Sequence, residues 1–169
     1  MSTVERSIVV DAPVDVAYAQ WTQFESFPVF MEGVDRVVQL DDRTLEWTAT
    51  VAGREKRWTA RITDQTPGVG IAWRSLEGAQ NDGAVVFSAA GAGATEIRLV
   101  VEADPDGFIE ETGDRLGFLE RRIAGDLERF KTFIEGREGP TGSWDGEIRS
   151  EEVISSASAS PQEIDTFGR

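Results

Sequence analysis

Apolar residues recur with two different periods along this chain, and the places where the period changes divide it into elements. In TVERSIVVDAP they fit a strand closed by Asp11-Ala12-Pro13, because proline has no N–H to give a ladder and fixes its own φ. The next stretch, APVDVAYAQWTQF, spaces Val16, Ala17, Gln20 and Trp21 at helical intervals, so a short helix is expected from about Pro13. Pro28 interrupts its continuation, which places Phe24, Phe27, Phe30 and Met31 on a second short helix or turn.

From residue 34 the period becomes two. TLEWTATVAG sets Leu45, Trp47, Ala49 and Val51 against Glu46, Thr48 and Thr50, and REKRWTARIT sets Trp58, Ala60 and Ile62 against Arg57, Thr59 and Arg61. VGIAWRS puts Ile71 and Trp73 on one face after a Pro67-Gly68 turn. GAVVFSAAGAGATEIRLVVEA reads as a hairpin turning at Gly91 and Gly93. A meander of antiparallel strands with one apolar face follows.

After Asp104-Pro-Asp106-Gly the helical period returns, from about residue 109 to 136, a span of about 40 Å at 1.5 Å per residue. Leu116, Leu119, Ile123, Leu127, Phe130 and Ile134 form one stripe, which must lie on the sheet. Past Gly136 the composition changes to turn-forming, acidic and Ser/Ala-rich. The expected organisation is therefore one domain over residues 1–137 and a disordered tail over 138–169, with Trp144 as a local anchor or a hook for a partner.

Composition narrows the chemistry. The chain has 169 residues with no cysteine and no histidine, which removes disulfides, thiolate metal sites and the commonest general base. The net charge of −14 repels nucleic acid and anionic lipid head groups. No apolar run reaches the roughly 20 residues of a membrane span, and MSTVERSIVV lacks the basic start and apolar core of a secretion signal, so a soluble cytoplasmic protein is expected. The Gly-rich text at 91–94 leads into a strand, not a helix, and no P-loop or Gly-x-Ser-x-Gly elbow occurs. The Asp41-Asp42 and Asp104/Asp106 pairs sit at turns, where acidic side chains are favoured locally, so no metal and no cofactor is expected.

IVVDAPVDVAYAQW, FESFPVFMEGV, IAWRSLEG and DLERFKTFIE, in that order and at that spacing, resemble the START-like (SRPBCC) helix-grip superfamily, and within it the polyketide cyclase/dehydrase and Coq10-like branch. The resemblance covers about residues 3 to 137. It implies an α+β fold in which a curved antiparallel sheet of about seven strands grips a long C-terminal helix, with two short helices after the first strand. Between sheet and helix it implies a cavity that admits lipids, quinones or aromatic polyketides.

The parity of the strands agrees with such a cavity. Trp47, Trp58, Trp73 and Phe87 point to the helix and would form its floor, while Phe27, Phe30 and Met31 would form its mouth. Gly117, one of three glycines interrupting the long helix, would leave clearance for a ligand. Each aromatic could equally be core. For acid/base work only Lys56, on the Trp58 parity, and Tyr18 can be named. Arg57, Arg61, Arg74 and Arg98 fall on the opposite face with Glu46 and Glu96, as cross-strand pairs worth little each. The reading that follows is a non-catalytic carrier or sensor of a small hydrophobic molecule. Its alternatives are a polyketide cyclase or dehydratase, and a module that meets a protein partner at the cavity mouth or the tail.

Overall fold

Pro13 does end the first strand, and its carbonyl accepts the first bonds of the helix that follows, from the backbone of Val16 and Ala17 at 3.1 and 3.0 Å. The computed structural model describes residues 2–51, 53–103 and 115–155. The strand is β1 (Ser2–Val10) and the helix α1 (Val14–Trp21), followed by a 3-10 helix (Phe24–Val29) that contains Pro28. Six strands then run as a meander: β2 (Val34–Gln39), β3 (Thr44–Val51), β4 (Arg54–Thr66), β5 (Gly70–Gly78), β6 (Asn81–Ala89) and β7 (Thr95–Ala103). The long helix, α2, is described over Arg115–Glu135; the part expected at residues 109–114 and the Asp104/Asp106 turn lie outside the described residues.

All strand pairs are antiparallel, in the order β1-β7-β6-β5-β4-β3-β2. Register places Trp47 opposite Trp58, and their rings stack at 5.6 Å and 8°. Trp73 faces Gly83, and only a glycine fits there: an added Cβ would lie 2.4 Å from the Val100 carbonyl and 2.7 Å from the Trp73 ring.

The stripe on α2 does two different jobs along its length. Leu127, Phe130 and Ile134 are buried to 2% or less exposure in the core, whereas Leu119 and Ile123, a turn or two earlier, are only partly buried. Around Phe130 an aromatic cluster closes that end of the fold. Trp21 meets Phe27, Phe87 and Phe130 edge-on at 5.7, 5.9 and 5.0 Å, and Phe30 meets Phe130 at 5.1 Å, geometries that favour ring pairs beyond the area they bury.

Two expectations are corrected here. The sheet has nine strands, not about seven, and the segment expected to be a disordered tail from residue 138 carries the extra two: β8 (Glu147–Arg149) and β9 (Glu152–Ser155). The reason lies in unequal strand lengths. β4 runs to Thr66, but its pairing with β3 stops at Arg61, which leaves its last residues with an open edge; β8 fills it, with Ile148 opposite Gln65. Ile148 is 1% exposed, and Trp144 packs against the core as the local anchor. The hairpin turns at Ser150 and Glu151, both with positive φ (52° and 67°). Such a turn usually takes Asn-Gly. Here Glu151 is held by a bidentate Arg74, Nη2 on Oε1 at 2.9 Å and Nε on Oε2 at 3.3 Å, by Arg61 at 3.8 Å and by its own N–H on the Thr63 carbonyl at 2.7 Å. The other outward arginines also find partners that strand parity did not name, Arg98 on Glu5 and Arg57 on Glu55.

Ile148→Ala is expected to destabilise the chain by about 2–4 kcal/mol, the usual cost of emptying a fully buried aliphatic site. Urea denaturation checks it; a loss under about 1 kcal/mol would mean that the hairpin unfolds apart from the body.

Candidate functional site

Where the aromatic cluster ends, the space between sheet and helix opens into a cavity of about 170 Å3. Its roof is the first half of α2, with Phe118, Leu119, Ile123 and Leu127. Its floor is the concave sheet, including Leu45, Ala60, Ile71 and Leu99, and its front is the 3-10 helix and the turn after it. An engineered apolar cavity of about 150 Å3 holds benzene, and sites for drug-sized ligands begin near 300 Å3, so this one has room for one ring with a short substituent.

Of the residues expected at the site, Trp47, Trp58 and Trp73 lie on the floor and Phe27 and Met31 at the front. Phe30, Phe87 and Gly117 are not on the described wall. Phe30 turns instead to Phe130 and Phe133, at 5.1 and 5.3 Å, and Phe87 sits in the cluster between Tyr18 and Trp21. The parity of Phe87 is as expected; the cluster simply claims that end of the concave face. Gly125, another helix glycine, is not on the described wall either; a Cβ added there would lie 3.1 Å from the Arg129 guanidinium.

The acid/base candidates are elsewhere. Lys56 is half-buried and off the wall, and Tyr18 is buried edge-on to Phe87 at 5.5 Å. Burial pushes the Tyr18 phenol up to about 12; the neighbouring Gln65 amide opposes this, although their contact falls outside hydrogen-bond geometry, and Asp145 adds to it.

Polar groups enter the wall from residues the periodicity did not single out. Besides the indoles, the polar side chains on the described wall are Glu32, Asn81, Arg122 and Asp126. The Trp73 indole N–H donates to Asn81 Oδ1 at 3.1 Å. The others belong to a clasp between α2 and the turn at residues 30–33. Arg129 Nε donates to the Phe30 carbonyl at 3.0 Å and Arg122 Nη1 to the Glu32 carbonyl at 2.9 Å, while Asp126 Oδ1 accepts from the Glu32 N–H at 3.2 Å and from Arg129 Nη2 at 2.6 Å. Three side chains on one helix face thus satisfy three backbone groups of the turn. Gly33, at φ +84°, makes the approach feasible, since a Cβ there would lie 2.2 Å from Arg122 Nη1. Burial pushes the Asp126 carboxyl up to about 6, against the opposing pull of Arg129, the Glu32 N–H and Arg122. In the sequence the only trace of this clasp is that Arg122, Asp126 and Arg129 border the apolar stripe at spacings of four and three.

A nine-stranded curved antiparallel sheet closed over a long C-terminal helix, with an apolar cavity between them, defines a helix-grip protein. The chain belongs to the polyketide cyclase/dehydrase and lipid transport family, whose model matches residues 10–132. It is 46% identical over 149 residues to an uncharacterised 17.2 kDa protein from the melC2–rnhH intergenic region of Streptomyces lincolnensis, covering 88% of this chain and 99% of that one. Among solved structures it is similar to DR_A0006 of Deinococcus radiodurans, with 28% identity, a TM-score of 0.63 and coverage of 80% and 100%. It also shares its fold with the Zhui aromatase/cyclase of Streptomyces sp. R1128, with 22% identity, a TM-score of 0.68 and coverage of 80% and 94%. No described helix is long and apolar enough to cross a membrane, and no group of three or more metal-ligating side chains occurs among the described residues.

Two outcomes follow for the clasp. The folded chain holds the Asp126 proton more tightly than an unfolded chain, where the carboxyl returns to its ordinary 3.8, so the ionised form costs stability and the cost grows as pH rises from about 4 to above 6. Relative to Asp126→Asn, the wild type is expected to lose on the order of 1–3 kcal/mol across that window, read from urea midpoints at each pH. Gly33→Ala is expected to cost about 1–3 kcal/mol, because it combines a left-handed φ with a clash on Arg122; thermal denaturation checks it.

Proposed function

We propose that the chain binds a small, flat hydrophobic molecule in this cavity and carries or senses it without transforming it. The observation that carries the reading is the wall itself: stacked indoles and aliphatic side chains around a space of one-ring size, with polar side chains, besides the indoles, at four positions among the described residues. Burying roughly 200 Å2 of apolar ligand surface at about 25 cal/mol per Å2 amounts to about 5 kcal/mol before the costs of association, which implies modest affinity and broad tolerance. Long lipids, quinones and multi-ring polyketides exceed the volume in this conformation, so the reading favours a compact ligand over those classes. Neither Lys56 nor Tyr18 reaches the cavity, and both hydrogen bonds to Asp126 serve the clasp.

A second reading, an enzyme of the cyclase or dehydratase type, draws on one observation. Arg122 and Asp126 stand together on the wall, and a carboxyl pushed up to about 6 suits proton transfer near neutral pH. Turnover of a short poly-β-keto thioester by the wild type, lost in Asp126→Asn, would establish it. The absence of turnover beside stoichiometric ligand binding would leave the carrier.

Ala60→Leu tests the cavity, since Ala60 is 2% exposed and on the floor. The added side chain fills the space. Binding of a hydrophobic fluorescent probe is expected to fall at least about tenfold without loss of melting temperature. Unchanged probe binding in a folded variant would remove the cavity as the binding site. Mass spectrometry of organic extracts from the wild type and this variant then identifies any compound retained only by the wild type.

A further inference from the structure

The two polar residues of the roof are one helical turn apart, and each has bonding capacity left. Arg122 gives one Nη1 hydrogen bond to the Glu32 carbonyl, and among the described residues no carboxylate lies within ion-pair distance of it. Asp126 receives both of its hydrogen bonds on Oδ1, which leaves Oδ2. The other polar side chains of the described wall have their acceptors engaged, Asn81 Oδ1 by the Trp73 indole and the mostly exposed Glu32 carboxylate by Arg129 at 3.3 Å; Asn81 retains its amide N–H groups, on β6 and not on the roof.

We propose that the cavity selects a neutral one-ring aromatic bearing a single hydroxyl, a phenol, with its ring on the indole floor and its oxygen between Arg122 and Asp126. The inference rests on the cavity-binding reading above and narrows it. A hydroxyl both accepts and donates, so it takes an N–H of the guanidinium and gives its own proton's hydrogen bond to the carboxylate, and both half-buried groups gain a further partner. A ketone or ether can only accept and leaves Asp126 unmatched. A plain hydrocarbon leaves both groups facing an apolar surface, which costs more than the missing bonds alone. A carboxylate meets Arg122 and Arg129 but also Asp126 and Glu32, so the charges balance and its lost hydration is not recovered. The volume sets the rest, because a ring and two or three further heavy atoms fill about 170 Å3.

The test compares 4-ethylphenol, ethylbenzene and 4-ethylbenzoate on the full chain by isothermal titration, with tryptophan fluorescence as a second readout, since Trp21, Trp47, Trp58 and Trp73 all line the cavity. The phenol is expected to bind about tenfold more tightly than ethylbenzene, as hydrogen bonds to charged groups imply, and the benzoate most weakly. In Arg122→Leu the phenol's advantage should shrink to about twofold or less; Asp126→Asn, close to isosteric, should halve it or more and serves if the first variant fails to fold. Ethylbenzene binding as tightly as the phenol overturns the inference and leaves the cavity reading standing. A preference for the benzoate, or a phenol preference that survives both substitutions, also overturns it. Failure of all three compounds to bind overturns the cavity reading with it.

Discussion

Trp21 is the side chain around which the rest of this fold is arranged. It ends α1, meets three rings edge-on at 5.0 to 5.9 Å, and still shows one side to the cavity. By tying α1, the 3-10 helix, β6 and α2 into one cluster it fills one end of the space between sheet and helix. The same contacts fix how far α2 stands from the sheet at the other end. There Ala49, Ala60 and Ala103 stand among the indoles of the wall, and the result is a partly open cavity. Core and cavity are therefore two consequences of one packing arrangement along a single helix.

The clasp between α2 and the turn at residues 30–33 stands at the border of these two regions. It is polar because the turn presents backbone groups that no strand or helix bonds internally, and a turn pressed against an apolar cavity needs partners for them. Arg122, Asp126 and Arg129 supply these partners at the expense of a half-buried carboxylate. The front of the cavity is thus fastened by side-chain bonds from α2 and by one backbone bond, from the Thr50 N–H to the Gly33 carbonyl at 2.7 Å.

Outside the cavity, the convex face is governed by charge. On a chain of net charge −14, Arg43, Arg61 and Arg74 would stand as an isolated basic patch, and the C-terminal hairpin brings Glu151 into their midst. Three cations around one carboxylate hold that side chain below the usual carboxylate range, led by the Arg74 hydrogen bond. Most of this network is solvated, so the hairpin is fixed chiefly by Ile148 and the open edge of β4, with the ion pairs choosing its register.

The sequence by itself determined the elements and their faces. Pro13 closes the first strand, the period-two runs carry Trp47, Trp58 and Trp73 to the concave side, and the 3-4 spacing from Leu119 to Ile134 lays α2 across it. These are local rules of backbone geometry, and local rules are legible in a string. What only the tertiary structure decided was how residues from distant elements share one space. Phe87 has the expected parity and Phe30 follows the second short helix as expected, yet both belong to the cluster because Trp21 and Phe130 reach them first. The open edge of β4 exists only once β3 is seen to stop short of it, which is why a segment that reads as a tail becomes part of the sheet. Arg122 and Asp126 read as an ordinary solvated helix face until the turn at residues 30–33 folds against them. Burial and hydrogen bonding then give them a role that no spacing encodes, because both depend on which surface arrives from elsewhere in the chain.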